Sequence, residues 1–95
     1  MNRKEMSAIV AKRTGLYQKD VDQVVGAVIE VIQSQLTNGL AVKLQGLGTF
    51  DVQVRAERTA RDLQSGGTIK VPSRRAPDFK PSKLLRQMVE SSGGS

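Results

Sequence analysis

The sequence predicts an α+β fold: a helical hairpin, then antiparallel strands carrying one protruding ribbon, then a short C-terminal helix. Three observations predict it. Apolar residues recur at helical spacing up to Gly39 and alternate beyond it. The stretch RAERTARDLQSGGTIK, from Arg55 to Lys70, has only Ala56, Ala60, Leu63 and Ile69 as apolar residues, too few for a core, although normal patterning resumes on either side. Ser82 precedes Leu84, Leu85, Met88 and Val89 at helical spacing, which marks one further helix.

Asn2 followed by Glu5 suits a helix N-cap with its reciprocal partner, and Met6, Ile9, Val10 and Arg13 follow at helical spacing. Thr14-Gly15 supplies the stop, so the first helix covers residues 3–14. The second helix carries Val21, Val24, Val25, Val28, Ile29, Ile32 and Leu36 as one apolar stripe, with Asp20 and Asp22 in its first turn. No side-chain cap marks its start, and Asn38-Gly39 ends it. The two helices form a hairpin over residues 1–39.

Residues 40–81 read as sheet. Val42 and Leu44 alternate with Ala41, Lys43 and Gln45, and Phe50, Val52 and Val54 alternate with Asp51, Gln53 and Arg55. Gly46-Leu47-Gly48 is the turn between them. The ribbon, about 55–72, turns at Ser65-Gly66-Gly67 and returns through Ile69 and Val71 to Pro72, which requires an edge or a break in pairing. Ala76 to Pro81 reads as a short strand between prolines, and Ser82 caps a helix ending near Glu90. The tail SSGGS, 91–95, is low-complexity and expected to be flexible.

Ninety-five residues make one domain, here 1–90, that buries only part of its surface. There is no Cys for a disulfide, and neither Cys nor His for zinc. Association with a second copy is the remaining common device, so an obligate dimer is expected. Fifteen basic residues against nine acidic ones give a net charge of +6. That surplus speaks about partners rather than fold. Residues 1–40 hold five Lys/Arg and four Asp/Glu, residues 41–95 ten and five, so the partner should meet the C-terminal half. No apolar run reaches the length of a membrane span and the N-terminus has no signal-peptide core, so a soluble cytoplasmic protein without a membrane role is expected.

Arg55, Arg58 and Arg61 recur every third residue, which makes both faces of the ribbon basic. An isolated hairpin is marginal in water, so this one should order against a polyanion. Lys80, Lys83 and Arg86 crowd the start of the last helix, with Arg74 and Arg75 nearby. Cations there oppose the helix dipole at about 0.3–1 kcal/mol each, whereas phosphate is bound well by a helix N-terminus. Leu63, lone and apolar at the ribbon tip, has the form of a minor-groove wedge. Phe50 and Phe79 fall in apolar strand patterns and read as core, which counts against modules that stack bases on aromatic rings. The carboxylates and lysines show no catalytic clustering, and Gly46-Leu47-Gly48 lacks the Gly-Lys-Ser/Thr of a phosphate loop, so neither an enzyme nor a cofactor is expected.

The motifs Thr14-Gly15-Leu16, Gly46-Leu47-Gly48-Thr49-Phe50, Gln64-Ser65-Gly66, Ile69-Lys70-Val71-Pro72 and Pro77 to Lys83 together resemble the HU/IHF family of bacterial nucleoid-associated proteins, and HU more than IHF. The resemblance runs without gaps from Met1 to about Val89. It implies an intertwined homodimer with a helical-hairpin base, a β-sheet saddle and two β-ribbon arms that wrap the minor groove. Phe50, Phe79 and Leu47 would lie in the shared core. It places Arg55, Arg58 and Arg61 on the arm, Lys80, Lys83 and Arg86 on the saddle and third helix, and Arg3 beside the DNA; Leu63, Lys70, Arg74 and Arg75 complete the expected DNA-binding set. The family's usual Arg-Asn-Pro tip reads Arg61-Asp62-Leu63 here, and Thr59 stands where a lysine is common. Leucine keeps an apolar wedge without proline's rigidity, and Asp62 adds a negative charge beside the phosphates. The function implied is non-specific binding, bending and compaction of double-stranded DNA in the nucleoid, with nicked, gapped or bent duplexes preferred. A sequence-specific architectural dimer of the IHF type and a basic RNA-binding protein are the alternatives.

Overall fold

The computed structural model describes residues 1–93. Eight elements follow in order: α1 (Arg3–Thr14), α2 (Gln18–Thr37), β1 (Val42–Leu44), β2 (Gly48–Arg55), β3 (Arg58–Arg61), β4 (Thr68–Val71), β5 (Arg74–Pro81) and α3 (Lys83–Gly93). Backbone contacts divide the chain into two compact units, residues 1–35 and residues 36 onward.

In the first unit, α1 is punctuated as its sequence requires. Asn2 Oδ1 accepts the Glu5 N–H at 2.8 Å, and Gly15, left-handed at φ 75°, donates its N–H to the Ala11 carbonyl. The helix turns inward through small residues. Ser7 and Ala11 are buried, while Met6 and Ile9 remain exposed. The α2 helix starts without a side-chain cap: the Tyr17 carbonyl accepts the N–H groups of Asp20 and Val21. Its apolar residues divide into two stripes rather than one. Val21, Val25, Ile29, Ile32 and Leu36 are buried or half-buried, whereas Val24, Val28 and Val31 are exposed. Gly26 sits mid-helix, where glycine costs roughly 0.5–1 kcal/mol relative to alanine. A Cβ there would lie 2.6 Å from Arg3 Nη2, so the bare backbone leaves room for that guanidinium.

The buried Ser7 hydroxyl has no hydrogen-bond partner among the described residues. An unsatisfied buried hydroxyl costs about 1–3 kcal/mol, and alanine is the better helix former. Ser7→Ala is therefore expected to raise the urea unfolding midpoint, by about 1 kcal/mol or more in stability. A lowered midpoint would mean that the hydroxyl is satisfied in solution.

The second unit contains two antiparallel sheets, one ordered β1-β2-β5 and one made of β3 and β4. Phe50 pairs with Phe79 across β2 and β5, with ring centroids 4.9 Å apart and planes tilted by 42°. The strand expected at Ala76–Pro81 is longer, eight residues from Arg74. Pro77 is tolerated inside it because β5 is an edge strand. Pro72 does break pairing, since β4 ends at Val71 and β5 begins at Arg74. Ser82 joins three parts. Its N–H donates to the Leu47 carbonyl, its Oγ donates to the Gly46 carbonyl at 3.0 Å, and that Oγ accepts the Leu85 N–H at 3.0 Å. The turn between β1 and β2 is thereby tied to the start of α3. That helix runs to Gly93, three residues past its expected end, so Ser91 and Ser92 are helical rather than tail. Of the expected flexible tail, Gly94 and Ser95 lie outside the described residues.

Candidate nucleic-acid interface

The ribbon is a β3–β4 hairpin, separate from the main sheet. Arg58 pairs with Val71, Thr59 with Lys70, Ala60 with Ile69 and Arg61 with Thr68. Cross-strand partners share a face and neighbours along a strand alternate. One face therefore carries Arg58, Ala60, Ile69 and Val71, and the other carries Thr59, Arg61, Lys70 and Thr68. The two basic faces expected from Arg58 and Arg61 are present, but the Arg58 face also holds an apolar strip.

Where the ribbon leaves the main sheet, Arg55 lies directly across from Arg74. Like charges in that position destabilise a sheet by roughly 0.2–1 kcal/mol, a penalty that an anion removes. Both arginines, with Arg58, Glu57, Val71 and Pro72, line an open recess of about 460 Å³. From Arg55 to Arg75 there are six basic side chains and two acidic ones.

The tip is built around Asp62. Its Oδ1 accepts the Gln64 N–H at 3.0 Å and its Oδ2 accepts the Ser65 hydroxyl at 2.9 Å. Its backbone N–H donates to the Gly67 carbonyl at 2.9 Å, and its carbonyl accepts the Gly66 N–H at 3.0 Å. The Gln64 amide first, and the Ser65 hydroxyl second, hold the Asp62 carboxyl below its ordinary value of 3.8. A depressed carboxylate stabilises the turn above that ordinary value and loses the effect only as pH falls through the lowered one. Near neutral pH, Asp62 is therefore an anion. Leu63, between the two anchored residues, is 90% exposed.

The remaining expected site residues fall into two groups. Arg55, Arg58, Arg61, Arg74, Lys83 and Arg86 are exposed and form no ion pair among the described residues. Lys70, by contrast, pairs with Glu57 at 3.2 Å, and Lys80 pairs with Asp51 at 3.2 Å. The exposed Lys70–Glu57 pair is of a kind worth about 0–1 kcal/mol, so an anion can compete for that lysine, whereas the carboxylate of Asp51 is half-buried. Arg75 turns towards the end of α2, where its Nη2 donates to the Leu36 and Thr37 carbonyls at 3.4 and 3.3 Å. The last turn of α2 has no basic residue of its own, and Arg75 supplies the missing positive charge. Arg3 lies beside Gly26 of α2. At α3, Lys83 and Arg86 sit in the first turn, but Ser82 already occupies the Leu85 N–H, which leaves a smaller cradle than a bare helix start. Sequence reasoning missed the organising role of Asp62. Its signal was an Asp followed by Ser-Gly-Gly, a side-chain acceptor opening a turn.

No helix among the described residues is long and apolar enough to cross a membrane. Residues 1–90 match the family model described as bacterial DNA-binding protein. The chain is 39% identical over 90 residues to the DNA-binding protein HU of Geobacillus stearothermophilus, covering 95% of this chain and all of that protein. It is 36% identical over 93 residues to the integration host factor β subunit of Marinobacter nauticus, covering 97% of this chain and 95% of that one. Its backbone is similar to an HU from Anabaena crystallised with DNA, with a TM-score of 0.85, 31% identity, and coverage of 94% of this chain and 97% of that one. The chain belongs to the bacterial DNA-binding protein family, that of HU and IHF.

Proposed function

We propose that the chain acts as a homodimer that binds, bends and compacts double-stranded DNA with little sequence preference, its β3–β4 arms lying in the minor groove. The observation that carries this reading is the arm itself. One strand, β3, bears two exposed arginines that form no ion pair among the described residues, its partner β4 bears Lys70, and the turn between them carries a leucine that is 90% exposed. The minor groove distinguishes mainly A·T from G·C, so selection falls on deformability: nicks, gaps and flexible steps. Unstacking a base step costs a few kcal/mol, the general magnitude for architectural proteins of which HU and IHF are examples. Burying Leu63 returns about 1.5–3 kcal/mol, and the additional phosphate contacts of a bent duplex provide the rest.

The second copy is supported by apolar surface left uncovered. The outer α2 stripe (Val24, Val28, Val31) and the α3 residues Leu84, Met88 and Val89 are exposed, and only Ala11 and Val21 are buried apolar side chains among the described residues. The chain exposes 8020 Å². A folded monomer of 10.3 kDa exposes about 5,400 Å². Residues 1–90 then work as one DNA-binding domain, in the cytoplasm and its nucleoid, without catalysis. Arg3, Arg55, Arg58, Arg61, Arg74, Lys83 and Arg86 contact phosphate directly, Lys70 and Lys80 after exchanging their carboxylate partners, and Arg75 chiefly holds the end of α2. A sequence-specific reading of the IHF type is favoured only by the 36% identity to an IHF subunit. Footprinting against random competitor DNA separates the two.

Bending is tested by energy transfer between dyes on the ends of a short duplex. Leu63→Ala is expected to reduce the bend more than the affinity. An equal loss in both would remove the wedge role.

A further inference from the structure

We propose that Asp62 is the positioning residue of the arm tip: its carboxylate closes the 62–67 turn on itself and so holds Leu63 outward for insertion, a role that rests on the DNA-bending reading above. Four hydrogen bonds meet at this one residue. Two are made by the carboxylate, to the Gln64 N–H and the Ser65 hydroxyl, and two by its backbone, to Gly67 and Gly66. Ser65 Oγ in turn accepts the Gly67 N–H at 3.3 Å, which extends the chain of contacts from the carboxylate to the far side of the turn.

Leu63 lies between Asp62 and Gln64, the two ends of the shortest bridge. Its backbone is therefore fixed while its side chain stays 90% exposed. Leucine lacks the ring that would stiffen a wedge from within. Hydrogen bonds to an ionised acceptor are stronger than neutral ones, and here they replace that stiffness from one residue away. A tip left loose would have to be ordered at the moment of insertion, which is unfavourable for the bent complex.

The charge and the hydrogen bonds of Asp62 act in opposite directions, which makes them separable. As an anion beside phosphates it weakens binding, whereas as a hydrogen-bond acceptor it keeps the wedge in place. Asp62→Asn removes the charge and keeps the acceptor oxygen for Gln64. Its amide also reaches Ser65, whose hydroxyl can turn to accept. Asp62→Ala removes both. Losing one exposed charge should tighten duplex binding about two- to fivefold in both variants at low salt.

The experiment measures end-to-end energy transfer in a bound duplex for wild type, Asp62→Asn and Asp62→Ala, together with the amide order parameters of Leu63 and Gln64 in the free protein. Asp62→Asn is expected to bend DNA like wild type and keep an ordered tip. Asp62→Ala is expected to bend no better than Leu63→Ala despite its tighter binding, with order parameters falling below about 0.6. If the two variants bend alike, in either direction, the positioning role is overturned. A wild type that leaves the duplex straight defeats the bending reading instead. Equal order parameters across all three proteins defeat the positioning role separately.

Discussion

Alanine at both Arg58 and Arg61 is expected to flatten the salt dependence of duplex binding. The two side chains project from opposite faces of β3, and neither has an ion pair to replace among the described residues. Each phosphate neutralised on B-form DNA contributes about −0.9 to the slope of log affinity against log salt. A dimer with both arms engaged would lose four contacts, a change of up to about 3.6 in slope. Affinity at low salt should fall by orders of magnitude, with the deficit shrinking as salt rises. The unfolding midpoint should barely move, because exposed substitutions away from specific contacts usually stay within about 0.5 kcal/mol. An unchanged slope would mean that the arms do not touch phosphate.

Gly48→Ala should have the largest effect on stability. Gly48 opens β2 at φ 154°, a backbone conformation that side chains disfavour, and it is buried. A Cβ there would overlap the Lys80 carbonyl oxygen and approach two Phe79 ring carbons at 2.8 Å. Neither neighbour can give way cheaply. The carbonyl belongs to β5, paired with β2 over eight positions, and the ring packs on Phe50. Overpacking costs about 1–3 kcal/mol and a strained backbone about as much again, so a loss of about 3–5 kcal/mol is expected. Gly46→Ala is the control. Gly46 is left-handed at φ 86° but has open space around it, so only the conformational cost of about 1 kcal/mol applies. Urea unfolding of both variants checks the contrast. Equal, small losses would show that β5 can move aside.

The ends of α1 were legible because residues with specific end-chemistry stand there, Asn2 as acceptor and Gly15 as the left-handed stop. Its inward face was not, because the helix buries small Ser7 and Ala11 while larger Met6 and Ile9 remain outside. The α2 pattern revealed apolar residues but not their division into two stripes, since periodicity does not say what will cover each one. The β5 strand starts two residues before the expected Ala76, because Arg74 and Arg75 pair with Arg55 and Val54 of β2, a register that local patterning does not announce. The α3 helix outran its expected end where Ser92 returns its hydroxyl to the Val89 carbonyl, a bond that composition does not announce.

At the interface, every expected cation could be named from the sequence, but its occupation could not. Glu57 with Lys70, Asp51 with Lys80, and the end of α2 with Arg75 are distant along the chain and meet only through strand register and packing. Asp62 was visible as a charge. Its four hydrogen bonds depend on how the Ser-Gly-Gly turn closes.

The most direct test is a salt titration of wild-type binding to a short duplex of arbitrary sequence. The chain should hold the duplex tightly at low ionic strength and release it along a straight log–log line steeper than about −4. Failure to retain duplex at low ionic strength, or a slope near zero, would contradict an arm that grips DNA through its phosphates.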